Sequence, residues 1–342
     1  MRKKTKKILV NIISIIIGIF LTYFFVFRTL DFTELTTAIS DVQIHFFFIA
    51  LLCMGGYLIF EALNVRRTMK VCEDKSIPFL ESFCYTSTGF FFSAITPSSV
   101  GGQPMQLVLM HKKGHKVEHS SLALLIEVIG AQSAAYIYAL LGLLYCYITK
   151  IQLSKAFIGM FVLGLIFSFA FISFLFIAVF HSKFIENLLK IIFKKNIEKR
   201  NSAVTKIQEY ARNATYIKTH VPSVAKITIR SFLKMGCYNA IPYFVCLSLN
   251  ITPGSIIKII LLQSMLYIAV GFVPIPGAMG INEGLFNILY TSIVFSYIGP
   301  ITIITRLANF YIPVLLTGLI SYITFHKFQK DNTNQTTTDN YN

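Results

Sequence analysis

The chain has 342 residues, of which 55% are hydrophobic and 13% charged, with a mean hydropathy of +0.65. A soluble domain carries about 25% charged residues, so a soluble globular class is excluded. The formal net charge of +16 would suggest nucleic acid as the partner of a soluble protein. In a chain of long apolar runs, Lys and Arg held in cytoplasmic loops account for it more simply.

The first apolar run, 8–27, follows MRKKTKK. It is long for the apolar region of a signal peptide and has no small-residue cleavage site, so it reads as a retained first span. Further spans are predicted over 44–63, 120–148, 157–180, 226–249, 256–273, 282–298 and 301–325. The fold class is therefore an all-α polytopic membrane protein with about eight transmembrane helices. The six cysteines form no C-x-x-C pair and read as small buried hydrophobes.

Basic residues alternate between loops. Five lie in 1–7, nine in 181–222, and Arg66, Arg67, Lys70 and Lys75 follow the second span, whereas 250–255 has none. Both termini are therefore expected in the cytoplasm of a bacterial-type cell (inner) membrane. Segment 79–110 has basic flanks on both sides but too few residues for two full spans. It is predicted to be a re-entrant hairpin, with TPSSVGGQP as its turn.

Non-helical backbone inside a bilayer survives only when buried in protein or lining a wet cavity. Pro97 stops one helix, Pro104 can begin the next, and Gly101 and Gly102 permit close backbone approach. A second break, VPIPGAMGINEG, spans 273–284. Pro97-x-x-x-Gly101-x-Gln103 overlays Pro276-x-x-x-Gly280-x-Asn282, which suggests an internal repeat with a binding site between its halves. The alternative is two ordinary turns between spans.

TPSSVGGQPMQ followed by an apolar helix, with PIPGAMGINEG near the other end, resembles the lysylphosphatidylglycerol synthase transmembrane-region family, also called flippase-like or YbhN-like. The resemblance covers essentially the whole chain. It implies a role like that of the membrane part of the multiple peptide resistance factor, which moves aminoacylated phosphatidylglycerol between leaflets. The cytosolic domain that makes this lipid from lysyl-tRNA is expected to be missing here. Residues 1–330 read as one membrane domain and 331–342 as a disordered polar tail.

Ionisable residues within spans are costly and usually face the interior. Glu127 and Glu283 could hold a headgroup cation or pair with a bundle arginine, and Arg306 could pair with either. Lys226, Arg230 and Lys234 recur at i, i+4 and i+8, a track for a lipid phosphate or a snorkelling stripe. His111, His115 and His119 share that spacing, but Gly114 and three lysines among them argue against a metal site. Segment 181–222 reads as a basic amphipathic helix on the membrane surface.

The expected function is translocation of a phospholipid such as phosphatidylglycerol or its lysyl ester, contributing to cationic-peptide resistance. The expected site comprises Ser98, Ser99, Gly101, Gly102, Gln103, Gln106, Glu127, Lys226, Arg230, Lys234, Gly280, Asn282, Glu283 and Arg306. No catalytic residue, metal or cofactor is implied. The alternatives are a phosphatidylglycerol lysyltransferase using lysyl-tRNA, a membrane partner of a separate synthase, and a small-solute transporter. Nucleic acid enters only through the transferase alternative, and the sequence leaves the oligomeric state open.

Overall fold

The computed structural model describes residues 36, 40, 42–73, 76–180, 221–291 and 297–338. The first predicted span and most of the basic 181–222 segment lie outside the described residues. Every regular element among the described residues is helical. In chain order they are α1 (Ile44–Glu73), α2 (Phe79–Ile95), α3 (Gly102–Lys112), α4 (Val117–Thr149), α5 (Lys155–Phe180), α6 (Val221–Ser248), α7 (Ile256–Val270), α8 (Ile281–Tyr290), α9 (Ile298–Arg306) and α10 (Ile312–Thr338). Tight turns at Pro97–Ser99 and Pro276–Ala278 interrupt the chain before α3 and α8, and a π-helical segment, Leu307–Tyr311, joins α9 to α10.

Four stretches among the described residues are long and apolar enough to cross a membrane: Ile44–Glu73, Val117–Thr149, Lys155–Leu175 and Ile298–Lys327. Thirty residues of helix extend about 45 Å, ample for a hydrocarbon core of about 30 Å. Their outward faces are apolar. Ile166, Phe167 and Phe169 of α5 and Leu315, Leu316 and Leu319 of α10 are exposed. Water would not tolerate so large an apolar surface, and lipid does.

α6 is equally long but carries more polar residues, because it sits inside the bundle. It packs along α1 and also touches α4 and α7. The largest core cluster joins Met54 and Leu58 of α1, Ala134 and Ala139 of α4, Ile241 and Val245 of α6, and Leu262 and Leu266 of α7. Small residues let backbones approach: a Cβ on Gly164 would lie 2.2 Å from the Ile268 carbonyl oxygen, so α5 can meet α7 only with glycine there.

Within the predicted span 282–298 the described helix is α8, ten residues and about 15 Å long, and residues 292–296 lie outside the described residues. Helix α10 is described to Thr338.

The candidate site at the two chain breaks

The two breaks share backbone conformation residue by residue. Thr96 and Ile275 are extended, with φ −110° and −121°. Pro97 and Pro276 then open each turn, and the next two residues adopt positive φ in both: 51° and 56° at Ser98 and Ser99, 59° and 49° at Gly277 and Ala278. The turns diverge from Val100 and Met279, whose ψ values are −22° and 142°, and differ further at Gly101 and Gly280, with φ −76° and 79°. The turns pack against each other, and the second also packs on α2. Ala94, Met279 and Phe310 form the apolar cluster where they meet.

The first turn is tied locally. The Thr96 hydroxyl donates to the Phe92 carbonyl at 2.6 Å and accepts from the Gly101 N–H at 2.9 Å. Helices α2 and α3 then lie so close that a Cβ on Gly102 would sit 2.6 Å from the Gly89 carbonyl oxygen. Gln106 is buried against Gly89, so it acts as a packing residue between these helices. Ser98, Ser99 and Gln103 are exposed on the turn.

The second turn carries charge. Glu283 caps the start of α8, with Oε2 accepting from the Gly280 N–H at 2.6 Å. Its Oε1 lies 2.7 Å from Arg306 Nε, an ion contact along which the N–H is not aimed. Arg306 also donates from Nη2 to the Gly277 carbonyl at 2.9 Å and stacks 4.4 Å from the Phe310 ring centroid. It is 4% exposed and immediately precedes the π-helical segment. Such irregular turns frequently mark functional positions. Asn282 is buried beside this pair in sequence, and the buried Thr305 Oγ1 and Asn309 Oδ1 have no protein hydrogen-bond partner among the described residues.

A second charged centre lies between α1, α4 and α6. Lys234 Nζ donates to Glu127 Oε1 at 2.7 Å and lies 3.9 Å from Glu61 Oε2. The lysine side chain is 2% exposed, and its ammonium sits 5.3 Å from the Tyr57 ring centroid. From there Tyr57, Tyr238 and Tyr267 form a ring contact chain, at 5.5 and 5.6 Å between centroids. Pro242 leaves the Tyr238 carbonyl without its helical partner.

The structure thus sorts the predicted site residues into groups. Gly280, Glu283 and Arg306 come together at the second break, and Glu127 and Lys234 pair within the bundle. The residues of the stripe on α6 have different surroundings: Lys226 is exposed, whereas Arg230 donates to the Leu63 carbonyl at 3.1 Å. The histidine spacing is also divided, because α3 ends before His115 and α4 begins after it. His115 instead bridges Glu73 at 2.5 Å and Glu81 at 3.3 Å.

Sequence reasoning missed Glu61, Tyr57, Tyr238, Tyr267 and Asn239. Glu61 did carry a signal, as a carboxylate within the apolar run LLCMGGYLIFEAL. The tyrosines carried none, since aromatic residues are frequent throughout this chain.

No curated protein and no solved structure matches the chain in the corresponding searches. A family model described as the lysylphosphatidylglycerol synthase TM region matches residues 11–317. That match takes in both breaks and both charged centres, and the chain belongs to the lysylphosphatidylglycerol synthase TM region family.

Proposed function

We propose that this membrane protein carries a phospholipid headgroup between leaflets, with phosphatidylglycerol or its lysyl ester as the substrate. The observation that supports this reading most is the buried Arg306 beside two helix breaks that pack on each other. An arginine at bilayer depth costs about 2.5–3.5 kcal/mol, so its retention calls for a function. Its planar fork suits a phosphate, and the backbone N–H groups that begin α3 and α8 offer further anion donors.

In this reading Glu283 occupies Arg306 when no lipid is present, and the headgroup phosphate displaces it. An amine of a lysyl headgroup then meets the Glu127–Glu61 carboxylate centre, at Glu61, the carboxylate less closely held by Lys234. The acyl chains stay in lipid along the exposed apolar faces. In this reading both termini lie in the cytoplasm, as the loop charges suggest, and the headgroup passes between that leaflet and the outer one. Exposure of such lipid lowers the negative surface charge and so the attraction of cationic peptides.

Cells that synthesise lysyl-phosphatidylglycerol provide the test. Expression of the protein should raise the fraction labelled from outside by a membrane-impermeant amine reagent, and Arg306→Gln should abolish the rise. An unchanged outer-leaflet fraction with the wild-type protein present would contradict the proposal. Formation of the aminoacyl lipid by the purified protein from lysyl-tRNA and phosphatidylglycerol would support the transferase alternative instead.

A further inference from the structure

Two carboxylates share one ammonium in the centre between α1, α4 and α6. Glu127 takes the short contact, 2.7 Å, and Glu61 the long one, 3.9 Å. The groups facing Glu61 are Tyr57 of α1, Glu127 of α4, Lys234 of α6 and Tyr267 of α7. Lys234 is the one cation among them. The neighbouring arginines are turned to other partners: Arg230 to the Leu63 carbonyl, Arg66 to the Ile77 carbonyl and Arg67 to the Ser223 hydroxyl. With all three centre residues ionised the site would hold one net negative charge. A buried charge without a partner costs several kcal/mol, and the group neutralises instead.

Neutralisation has two chemical routes at this position. A proton on Glu61 leaves Glu127 and Lys234 as a balanced pair. A headgroup ammonium beside an ionised Glu61 balances the centre equally well. The two exclude each other, because the proton and the ammonium need the same carboxylate. The amide of Asn239, five residues after Lys234 on α6, is buried with neither its nitrogen nor its oxygen hydrogen-bonded to protein among the described residues.

We propose that Glu61 is an exchange site at which a proton and the cationic headgroup of the substrate alternate, so that lipid passage one way is coupled to proton release. The proton leaves the carboxylic acid for water as the ammonium arrives, and rebinds from water as the ammonium departs. The identity of the cation rests on the lipid reading given above; the proton site does not.

Infrared difference spectroscopy on the full-length protein in phosphatidylglycerol vesicles reads the carboxylic acid C=O stretch directly. The wild type should show a protonated-carboxyl band that is lost in Glu61→Gln. Glu127→Gln makes Glu61 the sole counterion of Lys234, so the same band should also be lost there, which keeps the test valid should Glu61→Gln fold poorly. Addition of lysyl-phosphatidylglycerol should remove the band from the wild type, and added phosphatidylglycerol should not. A wild-type spectrum without a band, or one that both variants leave in place, would overturn the proton site. A band that depends on Glu61 but ignores lysyl-phosphatidylglycerol would overturn the exchange, and leaflet transport measured on the same vesicles would then show separately whether the lipid reading stands.

Discussion

Lys234 and Glu127 close a 2.7 Å ion pair between helices α6 and α4, from positions 107 residues apart in the chain. Both are buried, so the pair ties two spans together where water does not screen it. Removing the lysine alone leaves Glu127 and Glu61 facing each other without a cation. Lys234→Met is therefore expected to destabilise the protein by about 3–5 kcal/mol. The double variant Lys234→Met, Glu127→Leu removes both charges of the close pair and should recover part of that loss. Thermal unfolding in detergent checks the order of the three proteins.

The close approach of α2 and α3 makes a second prediction. A methyl group on Gly102 would meet the Gly89 carbonyl oxygen at 2.6 Å, and backbone cannot swing aside as a side chain can. Gly102→Ala should cost about 1–3 kcal/mol through overpacking. Gly55 has nothing within 4 Å of such a methyl, so Gly55→Ala should leave stability unchanged or slightly raised. Comparing the melting temperatures of the two variants separates packing from any general intolerance of glycine substitution.

The matched turns predict opposite responses to exchange of serine and glycine. Ser98 holds φ 51° with a side chain, at some backbone strain, so Ser98→Gly should be neutral or stabilising. Its counterpart Gly277 holds φ 59°, and a Cβ there would lie 2.4 Å from the Phe310 ring. Gly277→Ser should therefore destabilise by about 1–3 kcal/mol, and it should disturb the Arg306 contact to the Gly277 carbonyl as well. Unfolding curves for both variants, with lipid transport as a second readout, test this.

The breaks were legible in the sequence because proline and glycine dictate backbone directly. The overlay of Pro97 on Pro276 anticipated turns whose φ values agree within about ten degrees at the next two positions. The pairing of charges was not legible. Arg306 had two candidate carboxylates, and only the docking of α8 and α9 brings it to Glu283. The long contact of Lys234 with Glu61 depends on how α1 lies on α6, which no local pattern encodes. Of the predicted span 282–298, the described helix is α8, Ile281–Tyr290, and residues 292–296 lie outside the described residues.

Arg306 carries the central claim, and a reconstituted leaflet assay tests it most directly. Purified protein is placed in vesicles holding fluorescent phosphatidylglycerol or its lysyl ester, and the outer leaflet is bleached. Label from the inner leaflet should become bleachable with the wild type. Arg306→Gln, folded as judged by its melting curve, should slow this about tenfold or more, the loss of one charge-assisted contact. Wild-type vesicles that bleach no further than protein-free ones, for either lipid and for either direction of an imposed pH gradient, would contradict the account.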